Sequence, residues 1–375
     1  MRNKIMEHLI EIILTMFWFI VTISVVVFLH EGGHFFFARK FGVGVETFSI
    51  GFGKELFGWN DRYGTRWKVS LIPMGGYVKM FGDANPASAP DFEKINGLSE
   101  EEKSKSFYFK PLWQKAMIVG AGPLANYLTA IIIFTGMFFS FGKAVMSPEI
   151  GSVVTGSAAE KAGIEIGDIV TSVDGKNIKS FNELKENIIL NTGSSINLEV
   201  MRDSRTFNIK VTPEIKEIAD KKGNKIKMAM LGIASRDIEH VSLNLFESAY
   251  ESLKQTYSIS ASMLKGIWQI LSGQRGSEEI GGPVKIASYS KESAEAGLGG
   301  VLWFIALISI NLGLINLFPV PLLDGGHLLY YAIEGLKGKP LSATLQAHGF
   351  KIGIVVLASL MIFAIFNDIK FLLGK

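Results

Sequence analysis

Charge-free apolar runs punctuate this chain and set its plan. Run 12–29 contains 18 residues rich in Ile, Val and Phe, and at about 1.5 Å per helical residue it nearly crosses a hydrocarbon core of about 30 Å. Run 116–142 lies between Lys115 and Lys143, run 296–323 lies between Glu295 and Asp324, and both are long enough to span. Run 352–367 holds only 16 residues and crosses if Lys351 and Lys370 snorkel towards the interfaces. These segments predict four transmembrane helices. The first has a rival reading as a signal peptide, since Arg2 and Lys4 precede it. It outlasts an h-region, however, and His30-Glu31 follow it in place of a small-residue cleavage site.

Between the second and third runs the apolar period shortens. Segment 149–154, the Gly156-Ser157-Ala158-Ala159 stretch and segment 164–170 suit short strands around a one-turn helix. Val173-Asp174-Gly175-Lys176 suits a tight turn, 181–190 a helix, and 196–201 with 207–211 a hairpin around Asp203-Ser204. Short strands, a one-turn helix and a longer helix in this order resemble a circularly permuted PDZ domain over 148–213. Lys221-Lys222-Gly223-Asn224-Lys225 then marks a turn in a further hairpin. Phe246, Ala249, Tyr250, Leu253, Tyr257, Ala261, Leu264, Ile267, Trp268 and Leu271 recur at helical spacing, which predicts a helix lying on the outer membrane surface or against the spans, or else a core stripe of the insert. Ahead of the second run, 66–73 alternates in period two and 76–80 is placed to pair back across 73–75, with Pro73 confining that part to an edge or turn. Segment 84–105, with Pro86, Ser88, Pro90 and Glu100-Glu101-Glu102, reads as a solvated linker.

Composition agrees with lipid as the solvent: of 375 residues 48% are hydrophobic and only 19% charged. The formal net charge is +3, from 38 Lys and Arg against 35 Asp and Glu, so no basic excess points to a nucleic-acid partner. Placement of the cations is more informative. Arg39, Lys40, Lys54, Lys103, Lys105, Lys110 and Lys115 flank the first and second spans on one side, joined by Lys337, Lys339 and Lys351, against Arg2, Lys4, Lys370 and Lys375 on the other. The positive-inside rule then puts both chain ends outside the cytoplasm and makes 143–295 one large extracytoplasmic region.

The chain has no Cys, which excludes a disulfide scaffold, a thiol nucleophile and any Cys-based metal site. Where the first span meets the cytoplasmic side, the sequence reads His30-Glu31-Gly32-Gly33-His34. Two His at i and i+4 face one way on a helix and can hold one Zn²⁺, with Glu31 beside the ion as general base. The bland alternative is an interfacial His pair with a snorkelling Glu. Ionisable groups at membrane depth are costly and mark function, which favours the metal reading. A third ligand is needed, and the candidate region is 316–327, beginning at Asn316 and containing Asp324-Gly325-Gly326-His327. By itself Asp324-Gly325-Gly326 is an ordinary turn. Parity changes that: the first span runs inward to His30 and His34, the second outward, and the third inward to Asp324, so all three reach one depth. Pro319 and Pro321 break the helix ahead of Asp324, and irregular backbone at that depth belongs where it lines a cavity or is buried in protein. His327 would close the open position that a hydrolytic zinc needs and is read as a helix-start residue.

These residues carry a resemblance. The H-E-x-x-H at His30 to His34, the N-x-x-P-x-P-x-L-D-G-G run from Asn316 to Gly326, Ser49-Ile50-Gly51-Phe52-Gly53, Gly75-Gly76-Tyr77-Val78-Lys79-Met80, Gly122-Pro123-Leu124-Ala125-Asn126 and the PDZ-like insert together resemble the site-2 protease family of intramembrane zinc metalloproteases, most closely its bacterial regulator of sigma-E protease branch. The resemblance implies one Zn²⁺ on His30, His34 and Asp324, Glu31 as general base, Asn316 against the substrate backbone, and a re-entrant hairpin at Gly75, Gly76, Tyr77 and Val78 that presents substrate. It further implies single-span substrates such as outwardly trimmed anti-sigma factors and signal peptides in a bacterial inner membrane. Gly32 stands where Leu is frequent in the family, and one PDZ-like segment is found where proteobacterial members usually carry two.

The fold class expected is therefore a polytopic α-helical membrane protein with four transmembrane helices, a membrane-associated β-hairpin region and an inserted α+β PDZ-like domain. Its divisions are a membrane half over 1–147, the PDZ-like domain over 148–213, a hairpin and amphipathic helix over 214–295, and a second membrane half over 296–375. The expected function is zinc-dependent endoproteolysis within or near substrate transmembrane helices, with the lipid bilayer as surroundings and a peptide terminus as a partner of the insert. A PDZ-bearing scaffold with a structural or vestigial metal site would show loss of Glu31 or of a ligand. An ion transporter would show repeated halves. Neither signature is present. The insert itself has two open readings, a peptide-binding module or a folded plug that limits access.

Overall fold

The computed structural model describes residues 2–83, 97–190, 194–219, 225–273 and 280–373. Two compact units emerge, one formed by Met1–Met137 with Phe246–Lys375 and the other by Phe138–Leu245. Among the described residues four helices are long and apolar enough to cross a membrane, at Leu9–Lys40, Leu112–Phe141, Leu298–Asn316 and Thr344–Leu372.

Helix α1, Arg2–Lys40, runs without interruption through the His-Glu pair and past it. Strands β1, Val45–Asn60, and β2, Arg66–Met80, follow and pair antiparallel. Their register differs from the expected return across 73–75. Phe48 faces both Val78 and Trp67, and Ile50 faces both Gly76 and Val69, so 45–50 lies between 66–69 and 76–80. Burial explains the choice, because this pairing sends Val45, Phe48, Val78 and Met80 into one core with Ala38 of α1 and with Ile118 and Val119 further along the chain. Row 76–80 has the 45–50 row as its neighbour and lies at the sheet edge among the described residues.

Residues 84–96 of the expected linker lie outside the described residues. Its last six form a short helix, α2, Glu100–Lys105. Ser99 and Glu102 make a reciprocal capping box there, the signature that starts a helix even in an acidic stretch. Helix α3, Leu112–Phe141, then carries Pro123 in its interior. Pro123 has no N–H for the carbonyl one turn back.

The second unit contains β3, Lys143–Met146; β4, Ile150–Val153; α4, Ala158–Lys161; β5, Ile169–Val173; β6, Lys176–Asn177; α5, Phe181–Leu190; β7, Ile196–Arg202; β8, Arg205–Val211; β9, Glu214–Ala219; β10, Lys225–Met230; β11, Ile233–Ser235; and β12, Ile238–Val241. Strand order in its main sheet is β6-β5-β7-β8. Asp203 and Ser204 both have positive φ, as do Asp174 and Gly175, the backbone that a two-residue hairpin turn requires. Ile150, Val170, Leu184, Ile196, Leu198 and Val200 are wholly buried in its core. Ala229 and Leu231 join that core, and β11 and β12 pair with β4 and β3, so the compact unit extends on both sides of 148–213. Residues 221–224 of the expected Lys221 to Lys225 turn lie outside the described residues; the flanking β9 and β10 pair antiparallel. Asp168 is wholly buried and receives the Arg202 guanidinium at 2.6 and 2.8 Å and the Glu165 N–H at 2.9 Å. Burial alone would raise its carboxyl, but these donors hold it below the usual carboxylate range.

The chain returns to the first unit with α6, Leu245–Leu271. Its buried ridge is Ser248, Ser252 and Thr256, while Phe246, Tyr250, Leu253, Tyr257 and Trp268 of the apolar stripe stay exposed. Ser252 Oγ lies 2.9 Å from Thr135 Oγ1, and Ser260 Oγ reaches Tyr127 of the same span at 3.5 Å. The helix thus packs against α3 through hydroxyls, and its stripe is no part of the insert's core. Small hydroxyl residues glue helices where the surroundings are apolar and apolar ones gain nothing by pairing.

Helix α7, Pro283–Glu295, begins without a local side-chain cap. Asp368 supplies one from the far end of the chain, accepting from the Gly282 and Val284 N–H groups at 2.9 and 2.8 Å. Helix α8, Leu298–Asn316, ends before the charge-free run does, because Pro319 and Pro321 cannot continue it. Leu322 in the break has φ +86°, a costly conformation for a non-glycine residue. Helix α9, Asp324–Lys337, starts at the candidate ligand. Helix α10, Ala343–Leu372, contains the expected 352–367 run and is nearly twice as long. Counting uncharged residues underestimates it, since Lys351 and Gln346 are good helix formers and Ser342 caps the start.

Candidate metal centre

On the continuous α1, His30 and His34 stand one turn apart and are both buried, and their Nε2 atoms approach to 3.3 Å. Asp324, first residue of α9, brings Oδ2 to 3.3 Å from His30 Nε2 and 3.5 Å from His34 Nε2. Gly325 and Gly326 make that approach feasible: a Cβ on either would collide with the carbonyls of Leu317 and Val320. Among the described residues these three side chains form the one group able to hold a metal ion, and His327 is outside it. His327 instead packs edge-on against Tyr330, its ring 6.3 Å away.

The spacing tests the metal directly. A tetrahedral ion with ligands at about 2.0–2.1 Å has ligand-to-ligand edges of about 3.3–3.4 Å. The three edges here are 3.3, 3.3 and 3.5 Å. Asp324 Oδ2 is buried and faces the two imidazole Nε2 atoms at 3.3 and 3.5 Å, and a buried carboxylate against two bare nitrogens is unfavourable without a cation. The donor set fits Zn²⁺.

One face of α3 supports the His pair from behind. Ile118 carbonyl lies 2.8 Å from His34 Nδ1, so Nδ1–H donates there and Nε2 is left bare for a metal. Asn126 places its side-chain amide 3.0 Å from His30 Nδ1. Gly122, one turn from each, has no room for a side chain: a Cβ would overlap His34 Nε2 and lie 2.9 Å from His30 Cε1. Gly122→Ala is therefore expected to push the imidazoles off their positions and weaken zinc binding at least about tenfold, the scale for loss of ligand orientation. Zinc retained per protein after dialysis against a chelator measures this, and wild-type retention would show that the rings can yield.

Glu31 is buried beside the pair. The Val78 backbone N–H is hydrogen-bonded to its carboxylate, and a Cβ on Gly76 would come within 3.1 Å of Glu31 Cγ. Edge row 76–80 thus runs past Glu31. Tyr77 faces elsewhere, stacked on Phe52 at 6.0 Å with Lys68 Nζ 5.3 Å above it, and Gly75 at φ +126° closes against the same Phe52 ring. Asn316, at the end of α8, reaches His30 Nε2 with its amide nitrogen at 3.4 Å. The structure accordingly gathers His30, Glu31, His34, Asp324, Asn316, Gly76 and Val78, and leaves Gly75 and Tyr77 at the hairpin's own packing. Gly122 and Asn126 stand in the sequence only as the ends of the Gly122-Pro123-Leu124-Ala125-Asn126 motif, with no role attached to either, and nothing in the sequence marks the Ile118 carbonyl.

The sequence pattern of peptidase family M50 matches residues 18–360. A protein of Rhizobium meliloti (strain 1021) that carries the name zinc metalloprotease is 38% identical over 95% of this chain and 96% of its own length. Metalloprotease MmpA of Caulobacter vibrioides is 34% identical over 93% of each chain. Among solved structures, the PDZ domain of the SdrC-like protein of Listeria innocua is similar over 25% of this chain and 99% of that domain, at 24% identity and a TM-score of 0.20.

Proposed function

The chain belongs to peptidase family M50, and on that premise we propose that it is an intramembrane zinc endopeptidase in which His30, His34 and Asp324 hold the ion and Glu31 is the general base. The carrying observation is the meeting, at tetrahedral spacing, of ligand atoms from two helices 290 residues apart in sequence. Bound there, zinc supplies a Lewis acid for the scissile carbonyl and makes water a stronger acid. Glu31, oriented by Val78, takes the proton of the attacking water and returns it to the departing amide nitrogen. Asn316 directs an N–H at the same volume and donates to the carbonyl oxygen as negative charge develops. Apart from the Val78 N–H, the outer edge of 76–80, open among the described residues, offers main-chain groups to an extended substrate strand. A substrate helix must unwind first, because its carbonyls are otherwise held in internal hydrogen bonds.

In this reading the site lies near the cytoplasmic side of a bacterial inner membrane, with both termini and the Phe138–Leu245 unit outside the cytoplasm. Lys and Arg placement supports that orientation. Substrates are single-span membrane proteins already trimmed on the outer side, anti-sigma factors and signal-peptide remnants being the class the family resemblance favours. The test is to incubate the purified protein with a single-span substrate in detergent and map the products by mass spectrometry. A cut within or next to the apolar segment, lost on chelation and restored by zinc, is expected. Cleavage confined to soluble peptides would overturn the reading. In the same assay Asn316→Ala should lower kcat about 10²–10³-fold with zinc retained, the scale for losing one oxyanion donor.

For the Phe138–Leu245 unit, a groove of about 470 Å³ between α5 and 229–235 favours a peptide ligand over a plain plug; its lining includes Phe181, Lys185, Ile188, Leu231 and Ile233. β11 runs along it, so strand addition with apolar side-chain pockets is the mode that fits. Calorimetric titration of the intact protein with a peptide ending in an apolar residue should show binding that Ile188→Arg abolishes. Absence of heat with the wild type would leave the plug.

A further inference from the structure

We propose that Asn126 is a positioning residue for the metal centre: its side-chain oxygen accepts the Nδ1–H of His30 and so fixes the tautomer in which Nε2 faces His34 and Asp324 with a bare lone pair. The inference rests on the reading above that His30, His34 and Asp324 hold zinc. Its geometry is that of a closed contact, for Asn126 is wholly buried, His30 is nearly so, and 3.0 Å separates Nδ1 from Asn126 Nδ2, the end of the amide that a half-turn exchanges for the oxygen.

A neutral imidazole carries one proton, and a nitrogen that binds a metal cannot carry it. His30 Nε2 is the atom that points at Asp324 Oδ2 and His34 Nε2, so the proton belongs on Nδ1 and Nδ1 needs an acceptor. Asn126 offers that acceptor only in one of its two amide orientations. Nitrogen and oxygen of an Asn amide exchange by a half-turn of the terminal torsion and are told apart by their partners. With the nitrogen towards His30, Asn126 Oδ1 is buried without a donor and His30 is driven to carry its proton on Nε2, 3.3 Å from the Asp324 carboxylate. That state is a His–carboxylate contact closed to metal. With the oxygen towards His30, Nδ1–H has its acceptor and Nε2 is free.

Placement on α3 reinforces the assignment. Ile118, Gly122 and Asn126 are spaced i, i+4, i+8, so one helix face presents in turn a carbonyl for His34, a gap for the rings, and an amide for His30. Ser309 Oγ on α8 donates to the Asn126 backbone carbonyl at 2.9 Å and pins this level of α3 to a second span. A buried amide is expensive in an apolar span and marks function there, and metal-ligating His residues characteristically hand their second N–H to such an acceptor.

Zinc affinity, measured by competition with a chromophoric chelator on the full-length protein in detergent, tests the idea in Asn126→Leu and Asn126→Asp. Leu keeps the volume and removes the acceptor, and a 10–100-fold loss of affinity is expected. Asp keeps the oxygen and removes the donor, and it should hold zinc at least as tightly as the wild type. Unchanged affinity in Asn126→Leu, or equal losses in both variants, would overturn the proposal. The second measurement is the ring nitrogen NMR of His-labelled, metal-free protein, which separates this inference from the zinc reading. If the wild type takes up no zinc, the metal assignment fails, and the spectrum still reports whether His30 carries its proton on Nδ1 in the wild type and loses that preference in Asn126→Leu. Protonation on Nε2 in the metal-free wild type would sink the positioning role whatever the metal does.

Discussion

Glu31→Gln is expected to stop hydrolysis while leaving zinc in place. The proposed ligand atoms belong to His30, His34 and Asp324, so the substitution removes none of them. Gln occupies the same volume and can keep the contact with the Val78 N–H, so α1 and the edge row should hold their positions. What disappears is the basic oxygen that takes a proton from water. General-base removal typically costs about 10²–10⁴ in rate, which corresponds to about 3–5 kcal/mol of barrier. The measurement pairs kcat on a single-span substrate with zinc per protein. Equal cleavage by both proteins would remove Glu31 from the chemistry, whereas loss of zinc in the variant would make Glu31 part of the ligand set.

Asp324→Asn should have the opposite signature, with the metal lost and activity lost with it. The carboxylate oxygen is the one anionic member of the set and closes two of the three edges, at 3.3 and 3.5 Å. An amide in its place is neutral, and its NH₂ can turn to donate to the imidazole Nε2 atoms that a metal would otherwise use. Outer-shell substitutions around metal ligands cost about 10–100-fold in affinity, so the loss of a ligand should exceed about 100-fold. Folding should be little affected, because the start of α9 gives up only the interaction of one carboxylate with the helix terminus, about 0.3–1 kcal/mol. Chelator-resistant zinc and the thermal unfolding midpoint together check both halves. Unchanged occupancy would take Asp324 out of the ligand set.

Much of this arrangement is legible because it is local. His30 and His34 are one helical turn apart wherever the helix forms, and the tight turns at Asp174-Gly175 and Asp203-Ser204 follow from residues that tolerate positive φ. The break after Asn316 follows from two prolines. Sequence reasoning is weaker where a segment must choose between distant partners. The 76–80 row pairs with 45–50 and not with its near neighbour, because only that choice buries Phe48 and Val78 together. Helix α6 shows the same limit in another form. Its apolar stripe is plain in sequence, but in apolar surroundings the hydroxyl face makes the contact.

By itself, the amino-acid sequence determined the four helices long and apolar enough to cross a membrane and the kind of metal chemistry, since uncharged length, helical period and the absence of Cys are properties of short windows or of composition. Asp324 could be inferred from parity, which reports depth and nothing about distance. Tertiary structure decided the rest: that Asp324 closes a 3.3–3.5 Å triangle with the two imidazoles, that Gly122 leaves their rings room, and that Asn126 faces His30 Nδ1. These are contacts between residues far apart in sequence. They carry no periodicity or local backbone preference, and come into being only when α1, α3 and the start of α9 pack within one side chain's reach.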